Sequence, residues 1–294
     1  MNARAILVLI MLMTCAMSYG QNEQYDKITI RTIPAGGSVY FMDCVDGFGG
    51  GNVAASVGKD GILMVDNMFA VMAPKLKASL KQIADAPVKI VVNTHFHGDH
   101  IQGNAVFRES STIVAHENTA KNLIRTNTKE NPTDRMMPMI KVKDRTNLFF
   151  NDEEIQLIHC PNSHTDGDLA VYFTKSKVLH LGDMFFFQMF PGIYKNGGGD
   201  LKGLIVSLDK ILAEIPADAK VVPGHGDLAT MKDLADYVTM LKETTSIVEQ
   251  GIKKGKTVEQ LTSDKVLAKY DALGNGGAQT TDQYLGMLYK LLSN

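Results

Sequence analysis

The sequence predicts one α/β domain of packed layers with a helical C-terminal extension. Three observations predict it. Short β-rich segments separated by glycine turns open the domain, strand-like and helix-like runs then alternate, and the last stretch of chain has helical periodicity. The 294 residues are 45% hydrophobic, enough to fill a sizeable core.

Ile28 to Ile33, Val39 to Cys44, Asn52 to Val57 and Gly61 to Asp66 read as a meander of strands. Met72 to Ala84 has apolar residues at helical spacing, and Val88 to Val92 is a β-branched run too short for a helix. Ile155 to Cys160, Leu169 to Phe173 and Val178 to Leu181 predict three more strands, followed by a helix over Leu201 to Ile215. Lys220 to Val222 predicts a short strand ending in the turn Pro223-Gly224-His225-Gly226. Beyond Leu228, apolar positions such as Leu234, Tyr237, Leu241 and Ile247 recur every three or four residues, so residues 228–294 should pack on the body as a helical layer.

The N-terminus carries one positive charge at Arg4, an apolar run from Ala5 to Met17, and small residues at Ser18 and Gly20. That pattern predicts a signal peptide over residues 1–20, cleavage after Gly20, and a mature domain of 21–294 exported to the periplasm or medium. No second stretch is long and apolar enough to span a bilayer. The net charge of -2 and scattered Lys and Arg give no footprint for nucleic acid. Cys44 and Cys160 are expected to be free thiols, since two cysteines make no disulfide framework.

Chemistry concentrates in Thr94-His95-Phe96-His97-Gly98-Asp99-His100, which holds three of the eight histidines just after a predicted strand. Imidazole and carboxylate at this spacing suit Zn²⁺ or a similar borderline cation. Alternation points His95 and His97 the same way, and Gly98 lets the chain turn to bring Asp99 and His100 toward the same point.

The motif His95-x-His97-x-Asp99-His100 resembles the signature of the metallo-β-lactamase superfamily, whose members share an αββα sandwich with a dinuclear metal centre at one edge. The family's remaining ligands would follow later strands, and His164 in Ser163-His164-Thr165, Asp183 in Leu181-Gly182-Asp183 and His225 in Gly224-His225-Gly226 stand in that order. The resemblance covers roughly Ile28 to Asp227. It implies one metal on His95, His97 and His164, a second on Asp99, His100 and His225, and Asp183 bridging them. It further implies two Zn²⁺ ions, with iron or manganese as alternatives, a shared water brought near neutral pKa as nucleophile, and Asp99 as the residue orienting it.

The resemblance implies a small-molecule substrate as the expected partner. It implies hydrolysis of an ester, lactone, thioester, amide or phosphoester, with β-lactam ring hydrolysis as the second expectation and an iron-dependent sulfur dioxygenase as the rival from another class. Thr165 and Asp66 are candidates for orienting ligand imidazoles, against simple turn or strand-end bonding. His116, His159 and His180 are expected to be structural. Met184 to Phe190 and Met136 to Met139 are candidate pocket walls, ordinary core packing being the alternative, and Asn196 to Gly199 a candidate loop at the site mouth.

Overall fold

The computed structural model describes residues 24–129 and 131–293. The expected signal peptide lies outside the described residues. Two sheets form the body: a seven-stranded sheet in the order β1 to β7 and a six-stranded sheet in the order β13-β12-β11-β10-β9-β8.

In the first sheet, β1 (Thr29–Gly36), β2 (Val39–Val45), β3 (Val53–Gly58) and β4 (Gly61–Val65) form an antiparallel meander. The chain then crosses through α1 (Ala73–Ile83) to β5 (Val88–Val92), which lies parallel to β4, and continues to parallel β6 (Thr112–His116) and β7 (Ile140–Val142). The second sheet takes β8 (Arg145–Phe150), β9 (Glu153–Cys160), β10 (Asp168–Phe173) and β11 (Val178–Phe186) as antiparallel neighbours, then β12 (Lys220–His225) parallel to β11.

Side-chain alternation builds the layers. Leu63 and Val65 of β4 join Leu169, Val171 and Phe173 of β10 in the core between the sheets. Ile62 and Met64 face the other way and pack with Leu76 and Leu80 of α1. Across the molecule, Ala170, Tyr172 and Leu181 pack with α5 (Leu201–Glu214) and α6 (Met231–Lys253). The result is helix, sheet, sheet, helix, the αββα sandwich that the sequence resemblance implies.

The C-terminal helices are α6, α7 (Val258–Ser263) and α8 (Thr281–Leu292), separated by a 3-10 stretch over Ala268–Gly276. Thr230, Thr257 and Thr280 open them with capping boxes closed by Asp233, Gln260 and Gln283. Before α6, the two-residue β13 (Ala229–Thr230) still pairs with β12, so the second sheet takes one short strand from beyond Leu228. No helix among the described residues is long and apolar enough to cross a membrane.

Several strands differ from the sequence-based expectation, which lacks β7 and β13. β11 runs on to Phe186 rather than stopping at Leu181, so Asp183 stands within a strand, past a register shift at Gly182. β12 runs on to His225. β8 was not foreseen: it is an edge strand with outward positions such as Phe149 in solvent, so its periodicity carries little burial signal.

Candidate metal centre

The candidate ligands gather near or just after the C-terminal ends of strands of both sheets, where α/β folds commonly present their sites. After β5 the chain delivers His95 and His97, then turns into the single-turn helix α2 (Gly98–Ile101), which carries Asp99 and His100 and leads into the short α3 (Asn104–Phe107). His164 stands in the turn after β9, Asp183 within β11 and His225 at the end of β12. All seven residues named from the sequence are brought together.

They form two donor groups sharing one carboxylate. His95, His97, His164 and Asp183 offer atoms within 4.8 Å of one another, as do Asp99, His100, Asp183 and His225, and each group could hold a metal ion. His97 Nδ1 lies 3.1 Å from His95 Nε2 and 2.8 Å from His164 Nε2. Asp183 presents Oδ2 to the first group, 3.5 Å from His164 Nε2, and Oδ1 to the second, 3.0 Å from His100 Nε2 and 3.3 Å from His225 Nε2.

A cation fits this arrangement. His100 Nε2 and Asp183 Oδ1 are buried without a hydrogen-bond partner although they face each other, and orphaned buried polar atoms are costly unless something satisfies them. His164 must donate Nδ1–H to the carbonyl of Gly192 at 2.7 Å, which in the neutral ring leaves the Nε2 lone pair pointing into the first group.

Asp66 sets the outer polar frame. Its carboxylate accepts from the Thr94 amide at 2.8 Å, the Thr94 hydroxyl at 2.7 Å and His100 Nδ1 at 2.7 Å. The Thr94 hydroxyl proton is thereby used, so its oxygen accepts from His95 Nδ1 at 3.0 Å. One carboxylate thus orients an imidazole in each group. Thr165 acts differently: its hydroxyl and amide bind Asp168, which shapes the turn holding His164.

Burial lowers the pKa of His95 and His164 and takes His97 down to about 3, so these rings are neutral near pH 7. For His225 burial acts the same way, but Asp183 and Asp99 outweigh it and raise the ring to about 9. His100 is also raised, burial being overcome by Asp183, Asp99 and Asp66.

Two glycines let backbone reach the centre. A Cβ on Gly51 would overlap the His100 ring, and one on Gly224 would overlap Asp183 Oδ1. The run Gly49-Gly50-Gly51 before β3 was the available signal for the first of these close approaches.

The remaining histidines bind elsewhere. His180 is in the core, bonded to Asn52 O and accepting from the Gly182 amide. His116 caps α4 (Glu117–Thr126) and stacks on His159 at 3.6 Å. Cys44 and Cys160 are free.

A cavity of about 930 Å³ opens over the donor groups. Of the apolar stretches named from sequence, Phe186 and Met189 line it, whereas Met184, Phe185 and Phe190 are in the core and Met136 to Met139 do not reach it. The Asn196–Gly199 loop does not line the mouth either; Gly199 packs against the backbone of His164. Sequence reasoning missed Tyr194, whose ring lies 5.2 Å from that of His97, and the C-terminal residues Gln279 and Met287.

An αββα sandwich bearing paired imidazole and carboxylate donor groups at the strand ends defines a metal-dependent hydrolase. The chain belongs to the metallo-beta-lactamase superfamily, whose family model matches residues 46–244. It is 28% identical over 172 residues to an uncharacterized protein of Aquifex aeolicus (strain VF5), a match covering 52% of this chain and 74% of that one. It is 26% identical over 134 residues to the 2,4-dinitroanisole O-demethylase subunit alpha of Nocardioides sp. (strain JS1661), a match covering 44% of this chain and only 39% of that protein. In fold it is similar to a metallo-beta-lactamase from Pontibacter korlensis, with TM-score 0.61, 19% identity, and coverage of 73% of this chain and 99% of that one.

Proposed function

We propose that the chain is an exported hydrolase that holds two zinc ions and cleaves an ester, lactone, thioester, amide or phosphoester bond in a small molecule. The observation that carries this reading is the placement of Asp183, whose two oxygens face one donor group each. In this reading His95, His97 and His164 would hold one ion, Asp99, His100 and His225 the other, and Asp183 would be shared between them. Imidazole-rich donor sets with carboxylate suit zinc, with iron or manganese as alternatives.

When bound, the ions would supply an acidified water and draw electron density from the scissile bond. The protein's own groups do the rest. Asp99, at the cavity floor, accepts a proton from the attacking water and orients its lone pair. Asp66 and Thr94 hold His100 and His95 in fixed tautomers, so little reorganisation is needed during reaction. The water oxygen joins the acyl or phosphoryl centre, the bond to the leaving group breaks, and the water's proton leaves with that group. Export rests on the Arg4 to Gly20 pattern and is tested by the cellular fraction in which the full chain accumulates, with and without residues 1–20.

The deciding experiment assays residues 21–294, loaded with zinc, against ester, lactone, thioester, phosphodiester and β-lactam substrates, before and after chelation. Turnover lost on chelation and restored by zinc supports the reading. Zinc-loaded protein inert toward every member, or thiol-dependent oxygen uptake by iron-bearing protein, contradicts it.

A further inference from the structure

The side chains lining the cavity carry a charge pattern that restricts what can occupy it. Among the described lining residues there is no lysine or arginine. The charged or titratable groups are His97, His225, Cys44, Tyr194 and the carboxylates of Asp43, Asp99, Asp183 and Asp227. Asp99 and Asp183 face the histidines at the floor. Asp43 and Asp227 are both taken up by Arg31, which meets Asp43 in a two-point pair at 2.9 and 2.7 Å and also bonds Asp227. The guanidinium is therefore already matched by two carboxylates and offers no spare positive charge to a ligand.

Part of the wall is apolar, and the C-terminal extension contributes to it. Met287 of α8 lines the cavity together with Met189 and Ile193. Gln279, just before α8, donates to the carbonyl of Pro191 and touches Met287 Sδ at 3.9 Å, while Phe190 stacks on Tyr284 of α8 at 4.2 Å. The helical layer thus fixes the 187–194 segment and closes the cavity with two adaptable thioethers and a branched aliphatic side chain.

Resting on the hydrolase reading above, we infer that the substrate is a hydrophobic ester or lactone, uncharged outside its scissile group, whose apolar arm lies against Met189, Ile193 and Met287. Away from the histidines of the donor groups, an anionic arm would meet apolar side chains, carboxylates and the neutral Asn52, Tyr194 and Gln279 but no lysine or arginine, and burying a charge without an ionic partner is strongly unfavourable. Binding would come from the apolar surface removed from water along the arm.

The test compares two six-carbon esters on zinc-loaded protein: 4-nitrophenyl hexanoate and the 4-nitrophenyl monoester of adipic acid, which adds a carboxylate at the far end of the arm. In both, water adds to the acyl carbon, the bond to nitrophenolate breaks, and a carboxylic acid is formed. The expected result is kcat/KM about 100-fold higher for the hexanoate, the size of an unpaired buried charge. Met287→Lys should narrow that ratio by about tenfold or more, mainly through KM.

A readout independent of turnover is binding of the uncharged dye Nile red to metal-free protein, weakened in Met287→Lys. Equal rates for the two esters, preference for the adipate, or Nile red binding that is absent or insensitive to Met287→Lys overturns this inference. Turnover of neither ester by zinc-loaded protein that cleaves another member of the substrate panel also overturns it, whereas inertness toward the whole panel strikes the hydrolase reading itself. The ester pair on the unsubstituted chain decides the matter even if Met287→Lys does not fold.

Discussion

Asp66 accepts the Nδ1 proton of His100 across 2.7 Å, and both side chains are wholly buried. This bond fixes the His100 ring with Nε2 aimed at Asp183 Oδ1. Asp66 itself sits in the left-handed region with φ 61, a conformation held by the hydrogen bond its backbone N–H donates to Val92 O and by the contacts of its carboxylate.

Asp66→Asn should therefore weaken metal binding by about 10- to 100-fold without emptying both donor groups, because the amide cannot accept all three bonds that the carboxylate takes. Chelator competition against wild type measures this. Unchanged affinity would show that Asp66 only closes its own strand end.

Metal uptake should release protons unequally. In the metal-free protein His225, raised to about 9, and His100, also raised, carry protons at pH 7, whereas burial keeps His95, His97 and His164 neutral. Filling the His100–His225 group should thus expel about two protons, and its affinity should climb as pH rises toward 9. Calorimetry in buffers of different ionisation enthalpy checks this, and heats independent of buffer would refute it.

Gly51→Ala should destabilise the fold by about 1–3 kcal/mol and impair metal retention, because the added Cβ overlaps a ring that Asp66 holds in place. A denaturant midpoint and a metal assay on the same sample test both effects. A variant with wild-type stability and full metal content would mean that the ring has room to shift.

Burial holds His180 at about 4, below its ordinary 6.5, and the neutral ring donates Nε2–H to Asn52 O while accepting from the Gly182 amide at Nδ1. Between these values the unfolded chain binds the extra proton and the folded chain does not. The stability tied to this residue is therefore complete above pH 6.5 and declines by about 3 kcal/mol as pH falls to 4. In metal-free protein, His180→Gln should lose less stability than wild type over that interval. Parallel declines would assign acid sensitivity to other groups.

The legible parts of the site were those written locally. His95, His97, Asp99 and His100 fall on one turn, and Pro223-Gly224-His225-Gly226 announces a strand end, so short-range geometry sufficed. Asp183 was found in residue identity but placed after its strand, because Gly182 interrupts the apolar run that continues to Phe186. Gln279 and Met287 were illegible, since their role depends on α8 folding back over the segment that follows β11. The Met136 to Met139 cluster shows the converse: composition alone does not tell a pocket wall from a loop.

The most direct test of the central claim is the zinc content of residues 21–294 beside that of Asp183→Ala, with turnover followed on the same samples. The bridging geometry predicts about two zinc ions per chain in the unsubstituted protein, and a fall in both zinc and turnover in the variant. An Asp183→Ala protein that keeps two ions and full turnover would contradict the shared-carboxylate centre.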